Sequence, residues 1–553
     1  MKKGCIETDM VALNGKIVTM DKEMSVVEAI AISGGRICAL GSIEDIKPLV
    51  GPNTKVLDLE GRTALPGFID AHHHLQIAAC TLGLMAQCHT PPNETIDDVI
   101  MRLREWEPNV PLSKWVIGQG SLLQERKLRD QRFLNRYDLD RVSRDRPVAL
   151  RFGMHVTILN SKALEILGIK RESTPPKGSA FDIDPSNEEP TGVTRDFWNC
   201  IPFPDPDEGQ VTEAIENNIR NFCLPNGVTS IHDLPETTLA IRIYQKLLAE
   251  KSLPIRIRYY YEVPNMIKMD QLIASGLSQG FGNDFLRLGG IKIFVDGGIT
   301  SAGACFHEAY DFNKTHYGKL ALDQEELNHY VLKANEAGLQ VLMHAAGDRA
   351  MDIALGAVEK AQEAYYRLDH RHRIEHMGNV NPEMQRFKRT KRLGVLPVPN
   401  MGFINSWGDQ VEYLLGKERS RSGFWCKTLI DEGFPVPGSS DATGTHPENT
   451  NPFFCISCAI NRKTFSGKVI SPEERISMNE AIKMYTNYSA YAGFEENEKG
   501  SLECGKLGDL IVVSHDPWEV QDSEIADIKI ICTVVGGQVV YSSFGQQCMT
   551  VKR

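Results

Sequence analysis

Apolar and polar residues alternate in short runs at both ends of the chain and in longer strand–helix cycles between them. Near the start, Gly15-Lys-Ile-Val-Thr, Val27-Glu-Ala-Ile-Ala-Ile, Gly35-Arg-Ile-Cys-Ala-Leu-Gly and Lys55-Val-Leu-Asp-Leu read as antiparallel strands between turn signals. Asp509-Leu-Ile-Val-Val, Ile528-Lys-Ile-Ile-Cys-Thr-Val-Val and Gln538-Val-Val-Tyr carry the same texture near the end. Neither set can bury a core alone. Residues 1–65 and 497–553 are therefore expected to pair into one small, discontinuous β-sandwich domain.

Residues 66–496 repeat a strand–helix rhythm, which implies a parallel sheet. Eight strands are expected. They begin at Gly67-Phe-Ile-Asp-Ala, Val228-Thr-Ser-Ile-His, Ile255-Arg-Ile-Arg, Gly290-Ile-Lys-Ile-Phe-Val, Leu339-Gln-Val-Leu-Met, His372-Arg-Ile-Glu-His, Gly394-Val-Leu-Pro-Val and Phe434-Pro-Val-Pro-Gly. Helical patterns such as Gln324 to Ala337 and Arg349 to Tyr366 follow several of them. Eight βα units predict an α/β chain with a closed, TIM-like (β/α)8 barrel. The stretch from about 80 to 215 is too long for a βα connection. It contains two further strand-like runs, Trp115-Val-Ile-Gly and Pro147-Val-Ala-Leu-Arg, and reads as an insertion after barrel strand 1, placed as a lid over the barrel mouth.

Composition narrows the partners more than the fold. Hydrophobic residues make up 42% and charged residues 24% of 553, ordinary globular usage. A formal net charge of −11 repels nucleic-acid phosphates and anionic lipid, so neither is an expected partner. No apolar run reaches membrane-spanning length, and no apolar segment follows the N-terminal lysines as a secretory signal requires. Thirteen cysteines, an odd number scattered over the chain, fit reduced thiols and a cytoplasmic location. The lone Cys455-Ile-Ser-Cys458 reads as small apolar residues on a helix. A small-molecule substrate is expected; a homo-oligomer is compatible with the composition but not specified by it.

The chemistry concentrates at strand ends. In Pro66-Gly-Phe-Ile-Asp-Ala-His-His-His74, alternation puts His72 and His74 on one face and turns His73 to the other. Two neutral imidazoles on one face can share a metal, although a polar strand end would look the same. His344 ends Gln340-Val-Leu-Met, His376 ends Arg373-Ile-Glu, and Asp441 follows Gly438-Ser-Ser. Each alone fits an ordinary loop residue. Together, at the active face of three further strands, they favour a metal site. Lys292 lies within the apolar run Gly290-Ile-Lys-Ile-Phe-Val and must find a partner or lose its charge. Asp296, on the same face, could pair with it. Carboxylation by CO2 is the alternative, and the residues alone leave both open.

The chain resembles amidohydrolase family 3, the group that includes N-substituted formamide deformylases. The resemblance is carried by Pro66-Gly-Phe-Ile-Asp-Ala-His-His-His-Leu75, Ile291-Lys-Ile-Phe-Val-Asp-Gly297, His344-Ala-Ala-Gly-Asp-Arg-Ala350, Arg373-Ile-Glu-His376, Ser440-Asp-Ala442 and the tail Gly500-Ser-Leu-Glu-Cys-Gly-Lys-Leu-Gly-Asp-Leu510. It implies one or two divalent ions, zinc first. His72, His74 and Asp441 would hold one metal, and His344 and His376 would complete a second position or hold substrate. Lys292 would bridge if carboxylated. Asp441, His376 and Lys292 are the implied catalytic residues, with Asp441 carrying a proton from water to the leaving nitrogen. His155, in Met154-His-Val-Thr-Ile-Leu-Asn-Ser-Lys-Ala-Leu164, is an implied substrate contact, and Asp296 and Arg349 are further candidates. Gly192-Val-Thr-Arg-Asp196 and Val398-Pro399 depart from the family's pattern where substrate would be read.

These residues predict a metal-dependent hydrolase that cleaves a non-peptide C–N bond in an amide, formamide or cyclic amide. Two rivals remain. One is a deaminase or dehalogenating hydrolase on the same scaffold. The other is a non-catalytic assembly protein, which would be expected to have lost ligands that are all present here.

Overall fold

A computed structural model describes residues 8–111, 114–153, 156–176, 179–197, 200–201, 206–442, 446–543 and 549–551. Its centre is a curled sheet of seven parallel strands: β1 (Phe68–His73), β2 (Val228–Asp233), β3 (Arg256–Glu262), β4 (Leu286–Phe294), β5 (Gln340–His344), β6 (Arg373–Glu375) and β7 (Leu396–Val398). Neighbours in the sheet are neighbours in sequence, from β7 at one edge to β1 at the other. Helices follow the strands, among them Thr238–Ala249 after β2, Gln324–Glu336 after β4 and Asp348–Ala364 after β5. Both helices named from the sequence are present to within a residue or two at each end.

The eighth expected strand, Phe434-Pro-Val-Pro-Gly438, is not a strand of this sheet. Pro435 and Pro437 have no N–H to donate, and at i and i+2 both missing donors face the same side of the segment, so a ladder toward that neighbour cannot form. The segment nevertheless lies along β1, where Ala71 N donates to Gly438 O (2.9 Å) and Asp441 N donates to His72 O (2.9 Å). On the β7 side, Asn400 Nδ2 donates to Ser439 Oγ (2.8 Å) and Ser439 Oγ donates to Pro399 O (3.3 Å).

Pleat alternation divides β4 cleanly. Ile291 and Ile293 join the apolar layer with helix residues such as Leu327, Val331 and Leu355. Lys292, between them, turns inward beside Tyr260 and His74.

Strands from the two chain ends share two further sheets. The first runs Gln538–Ser542, Ile530–Val535, Leu510–Val513, Thr63–Pro66, Lys16–Val18, Val26–Val27. The second runs Met549–Val551, Lys55–Asp58, Met10–Leu13, Ala29–Ser33, Arg36–Gly41. Ile511 pairs Leu65 and Val512 pairs Ala64 in antiparallel register, and Met10, Ile17, Ile30, Leu510 and Val534 share one core. The long insertion carries its own six-stranded sheet, in which Val116–Gly120 and Val148–Phe152 are adjacent parallel strands.

Asp509 ties the terminal strands to the central sheet. Its carboxylate takes two bonds from the Arg256 guanidinium (2.6 and 2.8 Å) and one from Gly536 N (2.8 Å), with both side chains buried. Removing one partner of such a pair strands the other charge. Asp509→Ala should therefore destabilise the protein by about 3–5 kcal/mol, read as the shift of the urea midpoint. A midpoint within experimental error of the parent would contradict this anchoring role.

Candidate metal centre

His72 and His74 stand at the C-terminal end of β1, where the chain turns into the helix Leu75–Leu84. Their Nε2 atoms are 3.3 Å apart. Asp441 Oδ1 lies 3.3 Å from His72 Nε2 and 3.6 Å from His74 Nε2. Donors bound tetrahedrally to zinc at about 2.0–2.2 Å lie roughly 3.3–3.6 Å apart, so the donor set fits a divalent ion. Among the described residues, these three side chains form the group of His, Cys, Asp or Glu whose ligand atoms are this close.

The imidazoles are oriented from behind. His72 Nδ1 meets Glu375 Oε2 at 2.6 Å, and His74 Nδ1 meets Glu236 Oε1 at 2.9 Å. Each carboxylate fixes the tautomer that aims a lone pair from Nε2 inward, the usual support for a metal-binding histidine. Glu375 is itself held by Arg373 Nε (2.8 Å), while the same guanidinium donates to Ala71 O and lies 3.1 Å from His232 Nδ1. Asp70 accepts from Ser440 N (3.0 Å) and pairs with His73 Nδ1 (2.9 Å), which seats the residue before Asp441. Asp441 (φ +48°) and His376 (φ +71°) both adopt the left-handed region. Non-glycine residues reach it rarely and keep it at functional turns.

Electrostatics follow burial. Burial pushes the His74 imidazolium well below its ordinary range, and His72 adds to the effect. Burial likewise brings His376 down to about 4, against the pull of Asp441. Burial would raise the Asp441 carboxyl, but His72, His376 and His74 outweigh it and hold the group well below the carboxylate range. Burial would also raise Glu375, and Arg373 and His72 reverse that effect. Glu236 is pushed well up by burial and by Asp233. Burial brings the Lys292 ammonium to about 8, with Glu375 and Asp441 opposing the fall.

Other expected residues lie at different distances from this centre. His376 and His344 are neighbours, with rings 4.6 Å apart, and His376 is 5.3 Å from the His72 ring. His376 Nδ1 is 2.8 Å from Asn400 Oδ1, and His344 Nε2 is 3.3 Å from Gly297 O. Lys292 does not pair with Asp296. Its ammonium lies over the Phe294 ring at 4.9 Å, while Asp296 accepts from the amides of Cys305, Ala346 and Gly347 at 2.8–2.9 Å. Asp296 thus organises the loop backbone. Arg349 is exposed on the first turn of its helix and borders no cavity at the site, because the helix turns its neighbour Asp348 inward instead. His155 lies outside the described residues.

Glu375, Glu236, Asn400 and Asp70 were missed from the sequence. Alternation in Arg373-Ile-Glu could have placed Arg373 and Glu375 on one inward face. Glu236 follows β2 in a loop and carries no such signal.

A small cavity of ≈ 60 Å³ opens beside His344, His376 and Asp441. Leu122, Ile299, Val380, Phe403 and Trp407 make most of its wall apolar.

A profile of the amidohydrolase family matches residues 55–541. The chain belongs to the amidohydrolase family. It is 29% identical to N-substituted formamide deformylase of Arthrobacter pascens, over 97% of this chain and 99% of that protein. It is 30% identical to Protein LONG AFTER FAR-RED 3 of Arabidopsis thaliana, over 97% of this chain and 92% of that protein. Among solved structures, an uncharacterized metal-dependent hydrolase from Pyrococcus furiosus superposes with a TM-score of 0.70 at 26% identity, over 92% of this chain and all of that one. This amidohydrolase is thus a metal-dependent hydrolase, and no helix among its described residues is long and apolar enough to cross a membrane.

Two predictions follow from the centre itself. Glu375→Gln keeps the shape but weakens the orientation of His72, so zinc affinity should fall about 10–100-fold, measured by competition with a chromogenic chelator. Undiminished affinity would remove the orienting role. The second concerns acid. His376 (about 4) and His89 (about 3) are buried and neutral, so below about 6.5 the unfolded chain binds protons that the folded chain refuses. In metal-free protein these two histidines contribute fully above that pH and lose their contribution progressively as pH falls toward 4, while Glu236, raised by burial, takes up a proton and offsets part of the loss. His376→Gln should therefore flatten the fall in melting temperature between about pH 6.5 and 4; an unchanged pH profile in that variant would contradict the assignment.

Proposed function

We propose that this amidohydrolase cleaves a C–N bond in a small amide, formamide or cyclic amide, with one divalent ion held by His72, His74 and Asp441. The observation that carries the reading is the 3.3–3.6 Å spacing of those three ligand atoms, each imidazole backed by a carboxylate. A divalent cation there, zinc first, supplies Lewis acidity that makes water nucleophilic near neutral pH and polarises the scissile carbonyl. Asp441 stays ionised beside the histidines and is placed to accept the proton of the attacking water and deliver it to the leaving nitrogen. His376, neutral and anchored by Asn400, borders the apolar cavity with His344, where a substrate carbonyl and its apolar substituent fit. The N-substituted formamide deformylase named above supports an amide of this kind.

A second position is part of the proposal. Lys292 is buried, with carboxylates of Glu375, Asp441 and Glu262 around it, and burial makes its neutral, CO2-reactive amine accessible. Carboxylated, it would offer an anion toward a second cation together with His344 and His376. Around this centre, we read the seven strands and the segment 434–441 as a (β/α)8 barrel, residues 1–65 and 497–553 as a composite β domain, and 80–215 as the lid.

Chelation should abolish hydrolysis across a panel of uncharged amides and formamides, and added zinc should restore it. Full activity with substoichiometric metal by elemental analysis would sink the reading. Lys292→Ala should bind one metal equivalent fewer than the parent. Unchanged stoichiometry and turnover in that variant would eliminate the second position and leave the single ion.

A further inference from the structure

The apolar cavity at His376 has a larger neighbour of ≈ 1000 Å³, and Thr300 lines both. The chain divides them at two places. Gly298 borders the small cavity and Gly297 the large one. In the insertion, Leu122 borders the small cavity, while Leu123, Glu125 and Arg126 border the large one. Leu123 takes a left-handed backbone (φ +51°), which lets the segment turn its side chains to opposite sides.

The large cavity is acidic, and most of its carboxylates are already engaged. Asp182 takes both bonds of the Arg195 fork at 2.9 and 2.7 Å. Asp296 caps loop amides, Asp196 accepts from Ser301 (3.2 Å), Glu262 accepts from Asn265 (2.6 Å), and Glu236 supports His74 through Oε1, its buried Oε2 having no partner among the described residues. The cations offer little to the interior. Arg126 lies over the Tyr413 ring at 3.8 Å, and Lys319 is exposed at the rim.

Glu125 is different. It is only 6% exposed, it lines the cavity, and no other described residue hydrogen-bonds its carboxylate. Burial lifts it to about 7, with Arg126, Arg195 and Lys127 acting only as more distant charges. A carboxylate buried without a bonded partner against an acidic cavity is costly unless a cation or strong donor meets it. The mechanism makes no use of Glu125.

We propose that the large cavity binds the cationic end, an ammonium or guanidinium, of a substrate whose scissile bond lies at His72, His74 and Asp441, and that Glu125 is the specificity-determining contact. This rests on the hydrolase reading above and adds the substrate's second pole: an apolar or compact acyl side at His376 and a positive group beyond the Leu122–Arg126 partition.

The test is a binding measurement on the zinc-loaded full chain. Mono-acetylated pentane diamine, which carries one ammonium, is compared by calorimetry with its uncharged isostere N-hexylacetamide. The charged probe should bind about tenfold tighter or more, as a charge-assisted hydrogen bond at a buried carboxylate provides. Glu125→Gln should erase that preference and leave the affinity of the neutral probe unchanged. Equal affinities in the parent, no saturable binding of the charged probe, or a preference that survives Glu125→Gln would each overturn the proposal. The comparison in the parent protein decides the charge preference even if the variant does not fold. Because the readout is binding heat, the charge preference is decided whether or not either probe is cleaved, and hydrolysis that survives chelation would count against the hydrolase reading separately.

Discussion

His72 Nε2, His74 Nε2 and Asp441 Oδ1 must stay within 3.6 Å of one another, although two of the three are imidazole nitrogens offering lone pairs. His72 and His74 attract the Asp441 carboxylate, but the two imidazoles have no such reason to approach each other. The arrangement is imposed from outside by Glu375 and Glu236, which engage the far nitrogens, and by Asp70, which grips the backbone just ahead of Asp441. The energy that pre-organises this candidate metal site is therefore stored in hydrogen bonds to groups outside the triad. Both supporting carboxylates sit on strands or loops of the central sheet, so any distortion of its curl is transmitted to the ligands.

That arrangement obliges the interior to carry charge. Glu375 needs Arg373, and Arg373 makes further contacts with Ala71 O and His232. Deeper in, Glu495 is paired with Arg258 (3.0 Å) and Lys499 (2.8 Å). Buried pairs of this kind contribute little net stability, but removing one member leaves a charge that the interior cannot solvate. The apolar layer between sheet and helices, from Ile231 to Val358, is what makes the molecule fold. The charged interior specifies the site at the expense of part of that stability.

Much of this architecture was legible because it rests on period-two alternation. His72 and His74 separate from His73, and Lys292 separates from Ile291 and Ile293, by pleat alone. The pairing of the terminal strands was legible from texture, because neither end carries enough apolar surface to stand alone. Less was legible where side chains from distant strands meet. Nothing local marks Glu236 as the partner of His74, since 162 residues separate them. The proposed Lys292–Asp296 contact failed because the two side chains are drawn apart: the amides of Cys305, Ala346 and Gly347 hold the Asp296 carboxylate, with His344 Nε2 3.7 Å from it, while the Lys292 ammonium lies over the Phe294 ring. Arg349 shares its motif with His344, but it lies on a helix that has already turned it to solvent.

The expected eighth strand failed for a reason that bears on function. A regular strand after Phe434 would have fixed every side chain by its pleat, and a ligand at its end would point wherever the alternation left it. Pro435 and Pro437 remove the donors that a ladder needs. What remains is a segment held at chosen points: Gly438 O, Asp441 N, and the Ser440 contacts with Asp70. Freed from the ladder, the backbone can take a left-handed turn at Asp441 (φ +48°) and bring its carboxylate across to the two histidines of β1. Each of those holding points is on or beside the strand that carries the histidines. Asp441 is thus registered to the two histidines directly through β1, while Ser439, bonded to Pro399 O and Asn400 just beyond β7, steadies the other side of the segment.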